Sequence, residues 1–519
     1  MQTFSIRKPA VRSAVGLAAA QNRHAAEAGA MVLSHGGNAM DAAIVTALVL
    51  SVVEPWLSGI GGGGFLLHAN GKTGAIEALD FNMRSAAGVD PANYPLAGGQ
   101  TGNWFNWPSV AEDRNMMGYG AVCVPGAIGG FAAALERHGT LSWGAALAPA
   151  IEHAERGLEV DWFASLCIAT EAASLAADPA AAALFLDQGR APRASDSDVP
   201  RFRPMPAKAR LLKRLAKAGA RDFYEGEAAQ MLAADLEAGG SPIRLSDLSA
   251  YRPQWTAPLV GSYRETGIAA IAGLSGGPTF LDACARLAQS TLGPSSSQAD
   301  AALLYATAIR DAYELRLQTL GHAAKTQESC TSHISVVDRD GTMVSLTNTL
   351  LSRFGARVVL PTAGILMNNG MYWFDPRSGQ PNSIAPSAKP LANMCPIILS
   401  RDGRPELAIG AAGGRTIFPT VLQIVSGLVD FGLSLEEAFH RPRIDASTPR
   451  IKIDARWGAD VAAMVGRAFP VEVVEDTLYP VNFAIPSAVM RDPAGGFVGM
   501  AHPTSAWSAV VAATPHGAR

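Results

Sequence analysis

The chain has 519 residues, of which 48% are apolar and only 17% charged, with a net charge of −3. That length and apolar content allow a large core, and the near-neutral balance argues against nucleic acid or an anionic membrane as partner. The five cysteines (Cys123, Cys167, Cys284, Cys330 and Cys395) are scattered without a CxxC pair, and the ten histidines show no HExxH spacing, so neither a disulfide framework nor a metal site is expected.

The amino-terminal stretch lacks a continuous apolar segment of signal-peptide length, and the most hydrophobic run, 42–53, is too short to span a bilayer. The expectation is a cytoplasmic protein. Residues 17–34 and 39–53 read as two helices split by His35-Gly36-Gly37, with glycine ending the first and Asn38 capping the second. The glycine-rich run 58–64 leads into a short strand, 65–67. It lacks a GK[ST] ending and precedes a strand, so close backbone packing is expected rather than phosphate binding. Residues 98–119 read as a long loop whose Trp104, Phe105 and Trp107 either line a pocket or pack on their own chain. Residues 126–157 read as helices with Ser142 as a cap, 206–239 as helical with a solvated face, and 290–299 as a serine-rich loop.

Next comes TSHISVVDRDGTMVSLTNTL (331–350), two runs rich in β-branched residues around Arg339-Asp340-Gly341. A three-residue loop ending in glycine joins hairpins, with glycine left-handed. Closing it with Asp338 and Thr342 sets Ser335 opposite Ser345 and Thr331 opposite Thr349. Facing side chains lie about 4.5–5.5 Å apart, so two threonine hydroxyls meet at the start of the first strand. This is an ordinary hairpin pairing or, if the bond before Thr331 is cut, an amino-terminal nucleophile whose own α-amine is the base. Beyond it lie a turn-rich stretch (375–390), a strand at 395–400, a loop at 410–415 and a helix at 416–431. Ser434 and Glu437 form a capping-box pattern, and the last 70 residues read as strands and turns. Helices and strands mix without a βαβ rhythm, which points to a layered α+β fold.

Several collinear blocks together resemble the γ-glutamyltranspeptidase family of N-terminal-nucleophile hydrolases. They are HGGNAMDAAIVTALVLSVVEPWLSGIGGGGFLL (35–67), VPGAIGGF (124–131), LSWGAALAPAIEHAERGLEV (141–160), the stretch 223–253, the hairpin block, PLANMCPIILSRDGRPELAIGAAGGRTIFPTVLQIV (390–425) and LSLEEAFHRPRID (433–445). The resemblance implies a four-layer αββα sandwich with additional helices. It also implies a precursor that cuts itself between Cys330 and Thr331, giving segments 1–330 and 331–519 that stay associated as one structural unit. It leaves open further association of that heterodimer, and it implies no cofactor. Thr331 matches the nucleophile, Thr349 the helper threonine, and the Gly413 and Gly414 N–H groups the oxyanion hole.

The blocks that read an amino acid depart from the family pattern. Where the family has the arginine of a DFRE-type block, this chain has Asn82; Arg84, two residues on, either substitutes or is a plain surface arginine. The carboxylate expected after the NNxM strand is Trp373, which cannot replace a charge-assisted hydrogen bond. The position after the helper threonine holds Leu351, and the usual Ser-Ser is Ala392-Asn393. Arg415 is a second candidate carboxylate partner or a structural residue. Such a chain is expected to be an amidohydrolase for a small amide without a free α-amine. Oxamate amidohydrolase-like and cephalosporin or glutaryl acylase-like relatives fit that description, and a small carboxylate-bearing amide is favoured. The rivals are a γ-glutamyl hydrolase or transferase with a rearranged clamp, and a ligand-binding relative that never cuts.

Overall fold

The structure, a computed structural model, describes residues 6–100, 107–320 and 330–515. Two seven-stranded sheets carry the fold. Their strands, in chain order, are β1 (Val11–Ser13), β2 (Leu17–Ala20), β3 (Gly63–Ala69), β4 (Ile76–Phe81), β5 (Gln254–Thr256), β6 (Leu259–Tyr263), β7 (Thr266–Ala270), β8 (Cys330–Val337), β9 (Met343–Leu351), β10 (Ile397–Arg401), β11 (Arg404–Ala412), β12 (Ile485–Arg491), β13 (Phe497–Ala501) and β14 (Ala509–Ala512). The first sheet runs β14-β2-β8-β9-β3-β4-β5 and the second β1-β13-β12-β11-β10-β7-β6, with every neighbouring pair antiparallel.

The sheets face each other through short polar side chains. Ser335 on β8 donates to the Ser487 carbonyl on β12 at 3.2 Å, and Ser345 on β9 to the Ile409 carbonyl on β11 at 3.0 Å. Helices α1 (Arg23–Ser34), α2 (Ala39–Val53), α3 (Ala127–His138) and α4 (Trp143–Arg156) share one apolar core with the first sheet. Helices α5 (Gly277–Ala288), α6 (Gln298–Thr319) and α7 (Ile417–Val429) share a second core with the other sheet. The architecture is therefore the four-layer α+β sandwich with added helices.

Helix α2 shows why the helical layer on the first sheet forms. It is apolar on every side, and all fifteen of its residues are buried. Asn38 and Asp41 close a capping box at its start, satisfying two N–H groups that the first turn leaves open. Among the described residues no helix is long and apolar enough to cross a membrane.

Four sequence expectations need correction. Residues 17–20 are strand, not helix: Leu-Ala-Ala-Ala is wholly buried between β8 and β14, and pairing on both edges overrides alanine's helical preference. The region 98–119 holds a short strand pair, Leu96–Gln100 with Pro108–Val110. Trp104 and Phe105 lie outside the described residues. The stretch 410–412 completes β11 rather than forming a loop, because it pairs with β12. The last 70 residues include a helix, Ala459–Gly466.

The glycine run serves close packing. A Cβ on Gly62 would lie 2.1 Å from the Thr349 carbonyl oxygen, and one on Gly64 would lie 2.0 Å from that of Thr347. Only bare backbone lets β3 and its lead-in approach β9 this closely.

Candidate active site

The hairpin β8–β9 places Thr331. Gly341 takes φ +77° and donates to the Asp338 carbonyl at 2.9 Å, closing the three-residue loop. Ser335 faces Ser345, and the register holds as far as Ser332 opposite Asn348. A bulge then shifts the pairing so that Cys330 faces Leu351. The extra residue is on β9, where Thr349 and Leu350 together oppose Thr331. The Thr331 and Thr349 hydroxyl oxygens lie 3.4 Å apart, at the long end of hydrogen bonding. Thr349 Oγ1 also accepts the Leu351 N–H at 2.8 Å, which orients it.

Behind Thr331 lies a buried polar shelf. Ser332 donates to Glu54 at 3.2 Å. Burial pushes the Glu54 carboxyl up to about 8, against the opposing pull of the Ser332 hydrogen bond and Arg353. Burial also pushes His333 down to about 3. Its neutral ring sits between Thr347 and Ser335, each 2.9 Å away.

The opposite wall comes from the end of β11. Gly413 (φ +140°) and Gly414 (φ +58°) make the turn into α7. A Cβ on Gly413 would lie 2.8 Å from both Ala484 Cα and Thr416 Oγ1. Glycine is required there.

Thr331 and Gly413 line one cavity, with roughly 970 Å³ of empty space partly continuous with solvent. Its charged lining residues are Glu54, Arg353, Arg415, Asp445 and Lys452. Arg415 is 2% exposed, its guanidinium 4.7 Å over the Tyr313 ring, and Asp445 attracts it. Burial raises the Asp445 carboxyl above the ordinary range. Lys452 donates to Asn482 Oδ1 at 3.2 Å.

Of the five sequence candidates for substrate binding, only Arg415 lines this cavity. Asn82 is buried, donating to the Pro390 carbonyl at 3.4 Å and accepting the Met83 N–H. Arg84 is half-buried on a backbone bridge to Val124. Trp373 is buried in a short helical turn whose carbonyl accepts from Asn382 at 2.6 Å. Asn393 is 5% exposed, and its Oδ1 lies 3.4 Å from the Arg316 guanidinium. Asn82, Arg84, Trp373 and Asn393 are not among the residues lining this cavity. Gly414 is buried beside Gly413 without lining the cavity, and Trp107 is also buried away from it.

Sequence reading missed Gln21, Glu54, Arg353, Asp445 and Lys452. Only Glu54 left a signal, as the lone acid ending an otherwise apolar run. Among the described residues one group of possible metal ligands comes together: His68, Glu77 and His138. The two rings stack at 3.8 Å and 15°, and Arg137 binds the Glu77 carboxylate. Stacked rings point their nitrogens side by side rather than at one ion, so the group fits packing better than coordination.

The family model described as gamma-glutamyltranspeptidase matches residues 25–327 and 321–512. The chain is 34% identical over 512 residues to the acylase ACY 1 proenzyme of Pseudomonas sp. (strain V22), covering 90% of this chain and 88% of that one. It is 28% identical over 484 residues to the glutathione hydrolase proenzyme of Bacillus subtilis (strain 168), covering 83% and 80%. The crystal structure of cephalosporin acylase from Bacillus halodurans superposes with a TM-score of 0.86 at 25% identity, over 99% of both chains.

Proposed function

The chain belongs to the gamma-glutamyltranspeptidase family, and on that footing we propose that it cuts itself before Thr331 and hydrolyses a carboxylate-bearing acylamide through an ester on that residue. Its relatives are acylases and glutathione hydrolases, so its reaction class is amide hydrolysis or acyl transfer by an N-terminal nucleophile. The finer reading rests on the lining of one cavity: Thr331 and Gly413 together with the cations of Arg353, Arg415 and Lys452.

In the precursor, Thr331 Oγ1 attacks the Cys330 carbonyl carbon. The peptide nitrogen leaves as the Thr331 amine, and water hydrolyses the resulting ester. The freed amine has an ordinary pKa of roughly 8 and accepts the hydroxyl proton in the next cycle. A substrate amide then gives its acyl group to Oγ1 and its amine takes that proton, while Gly413 N–H stabilises the oxyanion. Water releases the acid, so no acceptor is needed.

With Glu54 held protonated to about pH 8, the cavity is positive at neutral pH and suits an anion. A γ-glutamyl group also needs a partner for its ammonium, and the family position for that carboxylate is Trp373. The likeness to a cephalosporin acylase, whose named substrate is far larger than oxamate, supports an acyl group with a longer body. The test is intact-mass analysis of the parent beside Thr331→Ala, then a panel of oxamate and of glutaryl, valeryl and γ-glutamyl p-nitroanilides. Two pieces meeting at Thr331 and a preference for glutaryl are expected. An uncut parent, or γ-glutamyl preferred over glutaryl, would overturn the reading.

A further inference from the structure

Gln21 follows β2 directly and precedes Asn22, the cap of α1. Strand β2 pairs with β8 through Leu17 with Val337, Ala18 with Val336 and Ala19 with Ser335. Continuing that spacing sets Gln21 beside His333, two residues from the nucleophile on the neighbouring strand. Strand separation and rise then put its Cα about 8 Å from that of Thr331. Gln21 is 2% exposed and lines the Thr331 cavity, yet neither Nε2 nor Oε1 has a hydrogen-bond partner. Trp56 lines the same cavity, is fully buried, and its indole N–H is likewise unpaired.

Buried polar groups are nearly always satisfied, and an unpaired amide costs more than its hydrogen bonds return. The three atoms define what would satisfy them. Two N–H donors suit one carbonyl oxygen, and one amide oxygen suits an N–H. A carboxamide supplies both, whereas a carboxylate would set its lone pairs against Gln21 Oε1. The group that stays near Thr331 after the amine departs is the acyl chain.

We propose that Gln21 and Trp56 form a specificity site for a carboxamide on the acyl chain, remote from the scissile bond. This rests on the proposed amidohydrolase reading and adds a second feature to the substrate: the cations take its carboxylate, and Gln21 and Trp56 take its amide.

The test compares kcat/KM for glutaramyl, glutaryl and valeryl p-nitroanilides in the parent, Gln21→Met and Trp56→Phe, with processing checked by intact mass. The parent should cleave glutaramyl about tenfold or more faster than valeryl. Gln21→Met should bring that ratio near one, Trp56→Phe should lower it partway, and the glutaryl-to-valeryl ratio should stay as in the parent. Methionine keeps the length of glutamine, and Trp56→Phe decides the matter alone if Gln21→Met fails to process. An unchanged glutaramyl-to-valeryl ratio in the processed variants means that a bridging water satisfies these groups, and it overturns the site. So does a parent with no glutaramyl preference, or an effect that follows a change of leaving group instead of acyl chain. Failure to cleave any anilide would instead sink the amidohydrolase reading.

Discussion

Replacing Gly413 with alanine strikes backbone strain, packing and chemistry at once. Gly413 holds φ +140°, and the new Cβ would meet Ala484 Cα and Thr416 Oγ1 at 2.8 Å. The backbone conformation costs about 1–3 kcal/mol for a residue with a Cβ. Crowding against backbone adds about 1–3 kcal/mol, since Ala484 Cα cannot swing aside as a side-chain tip would. Relief of either strain turns the peptide and misaims its N–H, and loss of one oxyanion donor raises a barrier by about 2.7–4 kcal/mol, or 10²–10³ in kcat. Gly432→Ala is the control: φ is +64° with nothing within 4 Å of the added Cβ, so only about 1–2 kcal/mol is lost and turnover stays at the parent level. Urea midpoints give the stabilities, and anilide hydrolysis by the processed proteins gives kcat. Parent-like kcat in Gly413→Ala, or a stability loss no larger than that of Gly432→Ala, would refute the reasoning.

Thr331→Ala should remain one chain by intact mass and show no turnover, while Thr331→Ser should still cut, more slowly; fragments from the alanine variant would rule out Thr331 as the nucleophile. Glu54 binds its proton more tightly folded (about 8) than unfolded (about 4.5), so native stability falls as pH rises between those values, by about 5 kcal/mol in full. Glu54→Gln should therefore flatten the dependence of the urea midpoint between pH 5 and 8, and equal slopes for the two proteins would contradict the assignment. Asn368 bonds the Cys123 N–H and carbonyl, the Gly61 carbonyl and the Gly370 N–H at 2.7–3.0 Å. Asn368→Ala leaves those buried groups unpaired and should cost about 3–5 kcal/mol by denaturant titration; a loss under about 1 kcal/mol would show that they find other partners.

The hairpin was legible because its turn chemistry and alternation are local: Arg339-Asp340-Gly341 set the register that brings Ser335 to Ser345. The bulge that sets Thr349 and Leu350 opposite Thr331 was not, because nothing in the local alternation of β9 marks an extra residue there. Helix α2 announced itself by length and its Asn38 cap, whereas Leu17–Ala20 misled because alanine's local preference yields to a sheet that closes around it. The walls of the site were hardest to read. Arg84 and Trp373 stand near family positions in sequence but do not line the cavity, while Gln21, Glu54 and Lys452 reach it from three distant segments that no spacing rule connects.

The interleaving of strands has a thermodynamic consequence. In the first sheet β8 and β9 lie between β2 and β3, and in the second β10 to β13 lie between β7 and β1, so both sheets combine strands from either side of residue 331. A cut there leaves neither piece with a complete sheet. Unfolding then releases two particles instead of one, and its equilibrium constant acquires units of concentration. The melting temperature of the cut protein should climb with dilution reversed, that is, with protein concentration, while that of uncut Thr331→Ala stays fixed. Severing one covalent bond would thus turn an intramolecular equilibrium into a mass-action one without moving a strand.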